Sequence, residues 1–276
     1  MTASLSGTTG VTFPDASIMG AIPRSYLAGL TLSTAGSSAT FGIAAGQAAD
    51  STNAQILILT SAYTKTTSAW AVGTGNGGID TGAVANSTWY HVFLIKRIDV
   101  TPNVVDVLFS LSATAPTMPS GYTLKRRIGS MKTNGSAQWT LFYQKGDNFL
   151  WDAVVQDINA TTAGTSAVTR TLTVPTGVVV FPVIGVVIDV AAAGAAAGES
   201  ILLSPLEITD VAASGNNVQA AIFNSGVGAS TQYAIVVSSV YTNTSGQIRS
   251  RANVGSANTT MRLNTYGWID RRGRDD

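Results

Sequence analysis

Apolar residues in this chain recur at every second position, in short stretches cut off by Gly, Pro, Asn and Ser. Successive side chains on a strand point to opposite faces, so this alternation predicts half-buried strands. Leu30-Thr-Leu-Ser33 and Ala39-Thr-Phe-Gly-Ile43 show it first, followed by Gln55–Thr60 and Ala69–Val72. The clearest strands are Thr88–Arg97 and Val104–Ser112, and the Pro- and Asn-bearing linker Ile98–Asn103 between them predicts a hairpin. Asp106 runs out of phase with Val105, Val107 and Phe109, which predicts a wetter face for it. Further strands are expected at Tyr122–Ile128, Gln138–Gln144, Asn148–Val155, Ala167–Val174, Val178–Val190, Ser200–Leu206, Gln219–Asn224, Tyr233–Thr242, Gly246–Ala252 and Thr260–Asp270.

Composition points the same way. Charged residues are 11% of the 276, against roughly 25% in an average globular chain. Glutamate occurs twice and lysine five times, although straight-chain charged residues are what surface helices are built from. Hydrophobic residues reach 45%, enough for a sizeable core. The expected fold is therefore all-β, an antiparallel β-sandwich or jelly roll, built as one large module or two consecutive ones. Residues 1–28, rich in Ser, Thr and Gly with the turn signal Phe13-Pro14-Asp15, read as an extended N-terminal arm. The turn Lys145–Asn148 divides the remainder into candidate modules 29–147 and 148–276.

Several function classes are disfavoured. A formal net charge of +1 gives no electrostatic case for nucleic-acid binding or a polybasic membrane anchor. Without cysteine there are no disulfides, thiolate nucleophiles or cysteine zinc sites. The opening Met1–Gly7 lacks the basic and apolar regions of a secretory signal. The apolar run 177–198 holds Pro182 and Asp189 and is β-branched in its first half, which predicts strand followed by an Ala/Gly loop rather than membrane insertion.

Candidate chemistry is sparse. His91 is the only histidine and lies mid-strand among Trp89, Tyr90, Val92 and Phe93, the setting of a packed or interface residue rather than a catalytic base. Asp147, Asp152 and Asp157 are spaced as turn and surface residues, and no metal site is expected. Gly73-Thr-Gly-Asn-Gly-Gly78 matches a dinucleotide fingerprint in form, but the chain continues into a strand rather than a helix, so a flexible turn loop and no cofactor are expected. The aromatic residues are expected chiefly in the core; Tyr63 and Trp70, flanking polar loops, are the candidate glycan contacts, with Asn76 and Asp80 on the Gly-rich loop that follows. The terminal Arg271, Arg272 and Arg274 lie close to Asp270, Asp275 and Asp276, and exposed or intersubunit ion pairs are expected there.

Several strings carry a resemblance. Gly7-Thr-Thr-Gly-Val-Thr-Phe-Pro-Asp15 resembles an opening phrase of tail-fibre proteins of tailed bacteriophages. The segments Gly73–Gly82 and Val104–Ser130, with the close Tyr266–Arg274, resemble a module recurring in phage and prophage virion proteins. The resemblance implies a non-enzymatic virion protein, assembled in the host bacterial cytoplasm and exposed on the particle as a tail fibre or other host-attachment appendage. It implies a homotrimer, an N-terminal arm docked on other virion proteins through Phe13, Pro14 and Asp15, and loops that meet a host-surface glycan or protein. A purely structural head, neck or baseplate decoration is the alternative, and a polysaccharide-degrading tailspike a more distant one.

Overall fold

The computed structural model describes residues 4–6, 10–12, 18–19, 25–160, 164–190, 199–214, 221–224, 231–237, 239–253 and 259–274. The described chain is all-β, with no helix among its residues. Its first strands are β1 (Ser4–Ser6), β2 (Gly10–Thr12), β3 (Ile18–Met19), β4 (Leu27–Gly29), β5 (Leu32–Thr34), β6 (Thr40–Ile43), β7 (Gly46–Ala49) and β8 (Ile56–Leu59). Then come β9 (Tyr63–Ala69), β10 (Gly77–Ile79), β11 (Trp89–Arg97), β12 (Val104–Ser110), β13 (Tyr122–Lys132), β14 (Phe142–Lys145) and β15 (Asn148–Ala160). The last are β16 (Val168–Thr171), β17 (Phe181–Val190), β18 (Glu199–Ser204), β19 (Ala221–Asn224), β20 (Thr231–Val237), β21 (Gln247–Ala252) and β22 (Thr259–Ile269). The apolar run after Gly177 accordingly enters β17, while the Ala/Gly loop expected beyond it lies outside the described residues, as do Phe13, Pro14, Asp15, Asp275 and Asp276.

A seven-stranded sheet runs β13-β11-β12-β10-β9-β6-β5 and a five-stranded one runs β14-β15-β22-β17-β20. A four-stranded sheet (β16-β21-β18-β19) and a three-stranded one (β4-β7-β8) complete the sandwich, while β1, β2 and β3 form a small sheet that pairs only within itself among the described residues. Among the described residues all strand pairings are antiparallel except those of β10, which is parallel to both β9 and β12. The predicted hairpin is present, β11 and β12 pairing from His91↔Ser110 to Arg97↔Val104.

One buried apolar cluster runs from Leu30 to Trp268 and takes residues from both sides of residue 147, itself in the hairpin turn between β14 and β15. Within it Phe41, Tyr90, Phe109 and Trp139 meet edge to face, with Phe109 and Trp139 centroids 5.0 Å apart. In the same cluster Phe149 stacks on Trp268 at 5.1 Å, and Trp89 and Trp151 close on the same indole. The outer face of β11 and β12 is covered as well: Phe93, Ile95, Leu108 and Tyr122 form a second cluster with half-buried Trp70.

That second layer corrects the expectation for Asp106. It shares a strand face with Leu108, and the face is dry: the carboxylate and the Lys65 ammonium, 2.8 Å away, are both 0% exposed. The Gly-rich segment is corrected too. Gly77–Ile79 is a buried strand, not a flexible loop, and only the tips at 74–76 and 81–83 are exposed. The strand expected at Ala69–Val72 lies earlier, at Tyr63–Ala69; beyond it Trp70 N still donates to Ile79 O, and the Trp70 indole donates to Val107 O at 3.1 Å.

Candidate functional site

The feature most suited to binding arises where β15 leaves its sheet. Leu150 pairs with Gly267 and Val155 with Thr265, so four residues of β15, Trp151 to Val154, face the single residue Tyr266 on β22. An insertion of this kind bends the strand and turns side chains away from the ladder, and bulges are enriched beside binding sites. Here Trp151 stays in the core at 7% exposure, while Asp152, Ala153 and Val154 are pushed outward, Val154 to 53%. The opposite wall is built by a tight turn after β13. Asn134 Oδ1 accepts from the Ser136 and Gln138 amides, and Thr140 N donates to Lys132 O at 2.9 Å. Asp152 N reaching Leu141 O joins the two walls.

Between them lies an open groove of about 570 Å³, within the usual range for small-molecule sites. Lys132, Asn134, Thr140, Asp152 and Gln156 are among its polar residues, with Ser87, Thr133 and Thr173; Leu141, Trp151, Val154 and Val155 supply its apolar wall. The Lys132 ammonium sits 5.9 Å from the Trp89 ring centroid and has no hydrogen-bond acceptor among the described residues. Burial holds its pKa below the ordinary lysine value, and the Asp157 charge offsets part of that. Asp157 is itself occupied, accepting from Thr173 N, Thr173 Oγ1 and Thr265 Oγ1. Asp152 accepts from Tyr143 OH at 3.1 Å at the groove rim.

The residues singled out from sequence lie elsewhere. Tyr63 and Trp70 are half-buried; Trp70 packs edge-on against Tyr122 at 5.3 Å and over Lys65, roofing the buried ion pair. Asn76 is exposed and donates to Val72 O, while Asp80 accepts from Thr117 N at 2.7 Å. None of the four lines the groove.

The Lys65–Asp106 pair fastens the turn behind Trp70. Lys65 Nζ donates to Ala71 O and Gly73 O, and Asp106 Oδ2 accepts from Gly73 N. With Asp106 Oδ1 the ammonium has three acceptors for its three protons.

His91 is buried, as expected of a packed residue, in a relay of hydrogen bonds. Arg127 donates to Ser130 Oγ, which lies 3.0 Å from His91 Nδ1, while Arg127 also grips Asp270 through two bonds of 2.7 Å. Burial first, and then the Arg127 charge, depress the His91 pKa to about 4, with Asp270 and the Thr176 backbone opposing. The ring is therefore neutral near pH 7.

At the C-terminal end Asp270, expected in an exposed or intersubunit ion pair, is buried in a pair within the chain, while Asp275 and Asp276 lie outside the described residues. Asp270 pairs with Arg127 rather than with its arginine neighbours. Arg272 is buried and donates to the carbonyls of Ile128, Gly29 and Leu30, tying the chain end to β4 and β13. Arg274 pairs with Asp147, and Arg271 is exposed. No protein-family model, curated protein or solved structure matches the chain.

Proposed function

We propose that this chain is a structural and attachment module of a virion appendage of the tailed-bacteriophage type, acting by binding and not by catalysis. The virion part of the reading rests on the strings Gly7–Asp15, Val104–Ser130 and Tyr266–Arg274. The attachment part is carried by one observation, the open mixed-polarity groove held on a rigid sheet beside the β15 bulge.

Assembly as a trimer is supported by the outer face of the five-stranded sheet. Tyr143, Leu150, Gly267 and Val183 stand in register across β14, β15, β22 and β17. Tyr143 and Leu150 are 59% and 44% exposed, and Phe181 adds a further exposed ring in the next row of β17. An apolar row of this kind suits burial against a second copy, and a rotational oligomer repeats the groove for avidity on a repetitive surface. The small sheet of β1, β2 and β3 supports an N-terminal docking arm, because strand edges join partners by main-chain hydrogen bonds.

Light scattering on the purified protein is expected to give three times the chain mass, and electron microscopy of virions carrying a tagged copy is expected to show the tag on an appendage. A monomer that is also absent from virions overturns the reading.

A further inference from the structure

We propose that the groove beside the β15 bulge binds an acidic saccharide, a pyranose unit bearing a carboxylate, with Lys132 as the counter-ion to that group. The proposal rests on the attachment reading only for what presents the sugar; the binding itself belongs to the groove.

Three observations select this ligand. Lys132 is a part-buried cation with no acceptor in the described chain, and a partly desolvated charge gains from an anion that approaches within hydrogen-bond reach. Asp152, the other charged group on the wall, already accepts from Tyr143 at the rim, and Asp157 behind Lys132 is filled by three donors. Neither forms an ion pair with Lys132, whose positive charge remains available to a ligand.

The remaining polar groups suit ring hydroxyls. The Thr140 hydroxyl, the Asn134 amide nitrogen and the Gln156 amide make no hydrogen bonds with other described side chains. Together they offer donors and acceptors, as sugar hydroxyls require. The apolar wall of Leu141 and Val154 is short and lies beside an opening, matching the C–H face of a single ring and not an acyl chain.

Titration calorimetry with a uronic-acid oligosaccharide and with the neutral hexose oligosaccharide of the same linkage tests this. The expected result is binding of the acidic probe, with the neutral one at least about tenfold weaker. Lys132→Met is expected to lower affinity for the acidic probe by about tenfold or more, the scale of one charge-assisted hydrogen bond, and to leave the neutral probe unchanged. Gln156→Ala, at an exposed position that leaves the core intact, is expected to weaken both probes severalfold. No binding of the acidic probe by the folded wild-type protein overturns the proposal, as does equal acidic-probe affinity in folded Lys132→Met. Adsorption of virions carrying Lys132→Met separates the two readings. Calorimetric loss with normal adsorption keeps the saccharide site and removes its attachment role. Lost adsorption with no sugar binding keeps attachment and removes the saccharide site.

Discussion

Lys65 and Asp106 face each other across β10, on strands that flank it, and Gly78 leaves the room: a Cβ there would stand 3.0 Å from the Phe109 ring and 3.1 Å from Lys65 Cβ. Removing one partner of a buried pair strands the other charge, so Lys65→Met is expected to destabilise by about 3–5 kcal/mol in denaturant unfolding. A double-mutant cycle with Asp106→Asn should give a coupling of at least about 1 kcal/mol; zero coupling would mean a solvated pair. His91 makes a different prediction. Its folded pKa of about 4 lies below the ordinary 6.5, so the unfolded chain binds more protons between those values. Stability is then complete above pH 6.5 and falls by about 3 kcal/mol as pH drops to 4, a slope that His91→Gln should flatten. Asp270 acts lower down. Burial raises its carboxyl, but Arg127 more than offsets this, and its contribution is lost only as pH falls below the ordinary 3.8. The packing of His91 was legible in the sequence; the burial of Asp106 and Asp270 was not. Alternation gives the face of a residue, and for Asp106 it gave the correct one; it does not say that the Phe93–Tyr122 cluster covers that face.

Among the elements, those that follow simple alternation were legible, and those made by glycine or by a break in phase were not. β11, β12 and β17 lie where their apolar periods put them. β10 has no such period. Its Gly77-Gly-Ile79 reads as turn sequence, and it is a strand because glycine alone fits between β9 and β12. A Cβ at Gly77 would overlap the Ala69 carbonyl oxygen, so Gly77→Ala is expected to cost about 3 kcal/mol or more. The check is a loss of hydrogen-exchange protection centred on β9 and β12; an unchanged protein would show that β10 pairs loosely. The groove had a faint signal. Phe149 and Trp151 face inward with Leu150 outward, and the alternation then fails at Asp152-Ala-Val-Val155. A broken period marks a bulge, but sequence does not show that the turn at Asn134 closes the other wall.

At the scale of the whole molecule, a surface so poor in charge bears on which face the proposed assembly would cover. The larger apolar cluster joins residues from both sides of the Asp147 turn, and Arg272 and the Arg127–Asp270 pair tie the C-terminal end to β4 and β13. Tyr143 and Leu150 are cross-strand partners at the β14 edge of the outer face of the five-stranded sheet, both exposed, while Phe142 and Trp151 beneath them fill the core. Leu150→Asp therefore adds a charge to the surface without opening a cavity, and the monomer should keep its melting behaviour at high dilution. In an assembly that buries the row, the same aspartate is desolvated without a partner, which costs several kcal/mol per subunit. Light scattering is expected to fall from three chains to one for Leu150→Asp, with far-ultraviolet circular dichroism unchanged. A trimer that persists would move the contact to another face, and a variant that aggregates would show that the row supports the fold itself.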